Sequence, residues 1–182
     1  MSAPTALVPS HPVPALSGPL VGGGTWDGPT AKSENFTLVV FYRGYHCPKC
    51  REQLHELRDH LDAFAETGTN VVAVSMDPQD RAVKTKEEWE TGALPLVYGA
   101  TVEDAKAWGL FLSRSRGMTS IGVEELAIFN EPGMFLIRND GTLFASWVQT
   151  IPMARPPAAG IIGLIKFVLD KGYPPRGDVT DA

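Results

Sequence analysis

The sequence contains little cysteine, with only Cys47 and Cys50 in 182 residues. It also lacks a long basic run, and its formal net charge is −5. Surfaces that bind a nucleic-acid backbone or an anionic membrane need clustered lysine and arginine, so we expect neither kind of partner. No apolar stretch reaches the length of a membrane span. One globular domain with a sizeable core is the working interpretation.

The N-terminus also lacks the basic start and the unbroken apolar segment of a secretory signal peptide. We therefore expect a cytoplasmic location. Structural disulfides are uncommon in that reducing compartment, and a close cysteine pair is more often redox-active or metal-binding. A pair of inert buried thiols remains the third interpretation.

Proline and glycine are concentrated at the beginning of the chain. Six of the fifteen prolines lie in the first 29 residues, which also contain three consecutive glycines. This composition predicts an extended arm over residues 1–35, either lying across the domain or mobile, with Trp26 as an anchor. The domain itself is expected over residues 36–175, followed by a tail over residues 176–182.

The remaining pattern alternates strands and helices. Short β-branched and aromatic runs predict buried strands at residues 37–42 and 71–76, and a helix follows each of them. The turn Asn139–Gly141 between two apolar runs predicts a hairpin, and a last helix ends near Gly172. Residues 113–131 are expected to form a loop or lid. This order predicts an α/β fold with a central mixed β-sheet and helices on both faces.

The two cysteines lie in the segment GYHCPKCREQL, just after the first predicted strand. Pro48 suits the first position of a helix, which places Cys47 at the helix N-terminus. Backbone N–H groups and the helix dipole stabilise a thiolate there, and Lys49 and Arg51, with His46 as a further candidate, are expected to add positive charge. Cys50 follows within one turn. Cys47 can therefore attack a substrate, and Cys50 can then displace the product by forming a disulfide.

A zinc site at the same pair would need two further ligands. The chain has no other cysteine, and in a continuous helix Cys50, His55 and His60 point to different sides. We therefore predict no metal and no other cofactor. A redox pair is favoured, with a metal site and inert thiols as the alternatives.

Four segments in a fixed order carry a family resemblance: TLVVFY, CPKCREQL, VVAVSMDP and PGMFLIRNDGTL. Over about residues 18–172 the chain resembles the thioredoxin superfamily, and in particular its peroxiredoxin-like branch, the alkyl hydroperoxide reductase C and thiol-specific antioxidant family. The resemblance implies a thioredoxin-like fold and an antioxidant thiol-disulfide oxidoreductase that reduces peroxides or disulfides. It also implies a thioredoxin- or glutathione-type reductant, and a homodimer would fit it.

The resemblance implies a role for Pro132 as well. At two positions, Gly44 and Pro132, the chain departs from the peroxidases of the family. Pro132 is implied to begin a strand beside the sulfurs after a cis Glu131–Pro132 bond. Gly44 stands where peroxidases of the family have threonine, and Pro132 stands where their arginine usually lies. Arg43 and Arg155 are the candidates to replace that arginine, although either could be a surface or capping residue.

A non-enzymatic protein is the alternative from a different functional class. In this interpretation the fold recognises a partner, and Cys47 and Cys50 act as a redox switch. The proline-rich arm and residues 113–131 would provide the contact surfaces.

Overall fold

The computed structural model describes residues 5–29 and 33–180. The strands are β1 (Gly18–Pro19), β2 (Thr25–Trp26), β3 (Phe36–Phe41), β4 (Thr69–Val74), β5 (Leu96–Val97), β6 (Leu112–Arg114), β7 (Ile128–Asn130), β8 (Gly133–Arg138) and β9 (Leu143–Val148). The helices are α1 (Pro48–Asp59), α2 (Leu61–Ala65), α3 (Gln79–Glu88), α4 (Val102–Ala107) and α5 (Ala158–Lys171).

A five-stranded sheet forms the centre of the fold, in the order β5-β4-β3-β8-β9. Strand β3 runs parallel to β4 and antiparallel to β8. β8 and β9 form the hairpin expected around Asn139–Gly141. The predicted mixed sheet is therefore confirmed, with β3 in the middle and its C-terminal end leading directly into the cysteine segment.

Helices cover both faces of this sheet, as predicted. All six residues of β3 are buried, and because side chains alternate along a strand they supply both cores. Leu38 and Val40 pack in one apolar cluster with residues of α1 and α5. Val39 and Phe41 pack in the other, with Trp108 just after α4.

The described part of the N-terminal segment lies across the domain at both edges of the sheet. At one edge Ser10 N–H donates to Leu143 O at 2.8 Å, and at the other Val21 N–H donates to Leu96 O at 2.9 Å. Trp26 packs partly buried against one of the two cores. Residues 1–4, 30–32 and 181–182 of the predicted arm and tail lie outside the described residues. The domain boundaries at residues 35 and 175 stay predictions.

The helix that carries the cysteines is shorter than its apolar spacing suggested. An apolar residue at every third or fourth position from Leu54 onward predicts one helix that stops near Gly68, but α1 ends at Asp59 and α2 begins at Leu61. His60 lies between them with φ −112° and ψ 8°, outside helical geometry, and its N–H bonds to Leu57 O. Phe64 is fully buried in α2, as its apolar position predicts, in spite of the break.

Residues 113–131 are more ordered than a simple loop. Strands β6 and β7 pair antiparallel at the two ends of this segment, with Ser113 opposite Phe129. The C-terminal helix ends as predicted, with Gly172 in the left-handed conformation at φ 60°. No helix among residues 5–29 and 33–180 combines the length and the apolar character needed to span a membrane.

Candidate active site

The loop after β3 places Cys47 at the start of α1. Cys47 is the capping residue of the helix, with φ −110° and ψ 104°, and Pro48 occupies its first turn. The N–H of Cys50 bonds to the Cys47 carbonyl at 3.0 Å. Both cysteines are unpaired thiols and both are buried, with Cys47 2% exposed and Cys50 fully enclosed. The position expected for Cys47 at the helix N-terminus is the one observed.

The environments of the two thiols push their pKa values in opposite directions. A hydrogen bond from the Cys50 thiol, together with the Cys50 N–H and the charges of Arg155 and Arg43, outweighs burial and lowers the pKa of Cys47 from 9.0 to about 6. Burial, followed by the interaction with Cys47, raises the pKa of Cys50 well above 9.0. At neutral pH the Cys47 sulfur is therefore largely a thiolate, while Cys50 keeps its proton.

Arg155 reaches both sulfurs from the loop between β9 and α5. Its Nη2 lies 3.2 Å from Cys50 Sγ and 3.9 Å from Cys47 Sγ. Its Nε donates to Pro152 O at 2.9 Å, and its Nη1 donates to Gln53 Oε1. Of the two arginines considered from the sequence, Arg155 is the one whose guanidinium contacts the cysteines.

A buried carboxylate fixes the loop in front of Cys47. Asp77 is fully buried, and its Oδ2 accepts a hydrogen bond from Tyr45 N–H at 2.7 Å. Burial raises the pKa of Asp77 to about 6. Tyr45 is fixed further by stacking on Trp89, with ring centroids 5.6 Å apart. Gly44 has φ 128°, and a Cβ there would lie 2.8 Å from both Asp77 oxygens.

The side chain of Arg43 binds acidic side chains rather than the sulfurs. Its Nε lies 3.1 Å from Glu131 Oε2, and its Nη2 lies 3.6 Å from Glu125 Oε1. The guanidinium also lies 4.7 Å from the centre of the Phe129 ring. His46 packs edge-on against the same ring and is 1% exposed. Burial lowers the pKa of His46 to about 4, so this side chain does not supply the positive charge expected from the sequence.

The expected cis peptide bond at Pro132 is wrong. None of the peptide bonds in the described part of the chain is cis. Glu131 N–H bonds to Phe111 O at 2.8 Å, and Pro132 O accepts from Gln149 N–H at 3.0 Å. These bonds on either side of the Glu131–Pro132 linkage hold the chain as it runs into β8. The placement of Pro132 beside the sulfurs stays a prediction.

Two cavities open next to these residues. One of about 260 Å³ lies between α1 and residues 152–155, with Arg155 and Gln53 in its lining. Another of about 790 Å³ has Arg43 and Glu131 in its lining. Among the described residues, no three histidine, cysteine or acidic side chains are grouped to hold a metal ion.

Sequence reasoning missed Gln53, which belongs to the quoted segment but was not considered. It is 6% exposed, and its amide joins Arg155 to Met134. The available signal was its spacing, because a residue three positions after Cys50 lies on the same face of the helix as that cysteine. The position of Asp77 at a strand end before Pro78 predicts a turn or cap residue, whereas its proximity to Gly44 depends on the tertiary structure.

A sequence model of the AhpC/TSA family matches residues 9–146 of the chain. The chain belongs to the AhpC/TSA family. The resemblance noted from the four segments is therefore confirmed. Arg155 lies beyond the residues that the family model matches, so its place beside the sulfurs rests on the geometry described above.

Other comparisons agree with this AhpC/TSA membership. Proteins named "Putative peroxiredoxin" in two strains of Mycobacterium tuberculosis are 27% identical over 139 residues, which cover 75% of this chain and 87% of theirs. The crystal structure of the M. tuberculosis peroxidoxin BcpB superposes with a TM-score of 0.68 at 19% identity, covering 89% of this chain and 98% of the other. The crystal structure of Enterococcus faecalis AhpC superposes with a TM-score of 0.70 at 12% identity, covering 93% of this chain and 98% of the other. These structures show the thioredoxin-like fold.

This AhpC/TSA protein is a thiol-dependent oxidoreductase of the peroxiredoxin-like class, with two cysteines at Cys-x-x-Cys spacing. Peroxides as substrates and thiols as reductants are characteristic of the family. The enzymatic interpretation is thus favoured over the non-enzymatic redox switch.

We expect the Cys47 thiolate to titrate near pH 6 in the reduced protein. Absorbance at 240 nm should rise through that midpoint, and the rate of alkylation of Cys47 should increase tenfold per pH unit below it and level off above about pH 7. Arg155→Gln should raise the midpoint, because it removes a positive charge that stabilises the thiolate. Arg176→Gln is the control, since Arg176 is exposed in the C-terminal tail. An unchanged midpoint in Arg155→Gln would contradict this account.

The loop geometry predicts that Gly44 does not tolerate a side chain. Gly44→Ala should lower the free energy of unfolding by about 2 kcal/mol or more, since the new Cβ meets a buried, hydrogen-bonded carboxylate. Gly23→Ala is a matched control with φ 107° and nothing within 4 Å of its Cβ, and about 1 kcal/mol is expected for its strain. Urea denaturation measures both losses. Equal losses of unfolding free energy in the two variants would show that the contact with Asp77 adds nothing to the cost of a side chain at Gly44.

Proposed function

We propose that the protein reduces peroxides, with Cys47 as the attacking thiolate and Cys50 as the resolving thiol. The observation that carries this proposal is the guanidinium of Arg155, which lies 3.9 Å from the sulfur of a cysteine whose pKa is lowered to about 6. An ionised nucleophile and a fixed cationic donor are thus adjacent in a buried site. Reduction of a peroxide needs both: the thiolate attacks one oxygen, and the cationic donor stabilises the negative charge that develops on the leaving oxygen.

The proposed oxidative half of the cycle has two steps. The Cys47 thiolate attacks one peroxide oxygen and forms a sulfenic acid, while the O–O bond breaks and the other oxygen leaves as alkoxide or hydroxide and takes up a proton. The Cys50 thiol then attacks the Cys47 sulfur. A disulfide forms and water leaves.

The neighbouring residues have supporting roles in this proposal. Pro48 starts α1 so that its N-terminus faces Cys47, and Gly44 allows the loop to lie against Asp77. Arg43 and His46 pack the other side of the loop against Phe129. Pro132 leads the chain from Glu131, the partner of Arg43, into β8.

Disulfide reduction is the second candidate function. It is supported by the Cys-x-x-Cys pair at a helix N-terminus, an arrangement suited to thiol-disulfide exchange. The threonine of the family's peroxidases is absent, since Gly44 stands at its position. Both candidate reactions end in the same Cys47–Cys50 disulfide.

The remaining parts of the proposal concern partners and location. We propose a thioredoxin- or glutathione-type reductant, a homodimer and a cytoplasmic location. Family membership supports a thiol reductant.

A stopped-flow experiment separates the two candidate substrates. Reduced protein is mixed with hydrogen peroxide, with cumene hydroperoxide and with glutathione disulfide, and the change in intrinsic fluorescence is followed. We expect both peroxides to react much faster than they do with free cysteine. Arg155→Gln should lower that rate by roughly 10²-fold through loss of a charged donor. Peroxide rates no higher than those of free cysteine would leave disulfide reduction as the function.

The assignment of nucleophile and resolving thiol has its own test. Cys47→Ser should abolish the reaction with peroxide, because the ionised sulfur is lost. Cys50→Ser should still react, and mass spectrometry should then find Cys47 as a sulfenic acid or as a mixed disulfide with added thiol. The reverse pattern would exchange the two roles.

A further inference from the structure

Two hydrogen-bond donors from outside α1 point at the sulfur of Cys50, the thiol that is not the nucleophile. Arg155 Nη2 lies 3.2 Å from Cys50 Sγ, and the backbone N–H of Arg43 donates to the same sulfur at 3.3 Å. The corresponding distance from Arg155 to Cys47 Sγ is 3.9 Å. The oxidative half of the cycle does not explain this arrangement, because Cys50 enters that half as a neutral thiol.

Two further hydrogen bonds hold the guanidinium of Arg155 in place. Pro152 O accepts from Nε, and Gln53 Oε1 accepts from Nη1. Gln53 is itself fixed, because its Nε2 contacts the buried Met134 Sδ at 3.3 Å. A guanidinium with its other nitrogens occupied in this way presents Nη2 to the sulfurs with little freedom to turn away.

We propose that Arg155 and the Arg43 N–H bind the Cys50 thiolate released when an external thiol reduces the Cys47–Cys50 disulfide, and that Gln53 positions Arg155 for this step. The proposal rests on the dithiol cycle of the proposed function. It extends that cycle to the reductive half and assigns Arg155 as a catalytic residue there, with Gln53 as a positioning residue.

The reductive half is balanced with two equivalents of thiol. A thiolate attacks Cys47 Sγ, the Cys47–Cys50 bond breaks, and its electron pair passes to Cys50 Sγ as a thiolate. A second thiolate then attacks the external sulfur of the mixed disulfide and releases the Cys47 thiolate. The two external thiols leave as their disulfide, and Cys50 takes up a proton.

Burial explains why the leaving sulfur needs these donors. Cys50 has no exposed surface, so water cannot solvate its thiolate. The same burial raises the pKa of Cys50, and thiol exchange slows as the pKa of the leaving thiol rises. The Arg155 charge and its hydrogen bond act in the opposite direction and lower that pKa. They replace the missing water at the sulfur that must carry the charge.

The test measures the reductive half separately from any peroxide reaction. Wild type, Arg155→Gln, Gln53→Met and the exposed control Arg176→Gln are oxidised with diamide and then reduced by 2-mercaptoethanol at one pH. Disulfide loss is followed by quenching and alkylation. We expect reduction to slow roughly three- to tenfold in Arg155→Gln and Gln53→Met and to be unchanged in Arg176→Gln. Wild-type rates in both site variants would overturn the proposal.

A second measurement distinguishes positioning from a merely structural effect. In the Cys47→Ser background Cys50 is the only thiol, and adding Gln53→Met or Arg155→Gln should raise its pKa, measured at 240 nm. An unmoved Cys50 pKa would overturn the proposal even if reduction slows. The outcomes are independent of the peroxidase assignment: if reduction slows while peroxide rates stay low in every form, this inference stands and the substrate assignment fails.

Discussion

The contact between the Arg155 guanidinium and the two sulfurs is the interaction on which the site depends. Two buried thiols at a helix start would otherwise lose hydration and gain only the helix N-terminus in return. Arg155 adds a full charge 3.2 Å from one sulfur and 3.9 Å from the other. The contact requires the loop before α5 to return over α1, and Glu56 fixes that return by accepting a hydrogen bond from Ala158 N–H at 2.7 Å.

The other charges around the site are arranged so that they do not compete with Arg155. Arg43 lies close in sequence to Cys47, but Glu131 and Glu125 neutralise its side chain. Asp77 is a buried acid near the loop, and its carboxylate is engaged by the Tyr45 N–H, which donates to Oδ2 at 2.7 Å. His46 is neutral because burial lowers its pKa to about 4. After the hydrogen bonds from Cys50, the charge of Arg155 lowers the pKa of Cys47 more than the charge of Arg43 does.

Sequence reasoning predicted the parts of the fold with strong local signals. The buried strands β3 and β4, the hairpin of β8 and β9 and the end of α5 at Gly172 all follow from residue patterns within a few positions. The break at His60 was missed because the apolar spacing continues across it. The pairing of β6 with β7 was missed because the hydrogen bonds join residues from 112–114 to 128–130, and no local pattern records that pairing.

For the site, the sequence by itself determined that two thiols lie together at a helix start, and it favoured redox chemistry for them. Two cysteines separated by Pro48 and Lys49 after a buried strand must lie on the first turn of a helix, because proline fixes the start and the spacing fixes the turn. Only the tertiary structure decided which arginine side chain contacts the two sulfurs. Arg155 is 108 residues from Cys47, whereas Arg43 is four, and the nearer one is turned away by its acidic partners. Contacts across such separations depend on how the elements pack, which local sequence does not encode.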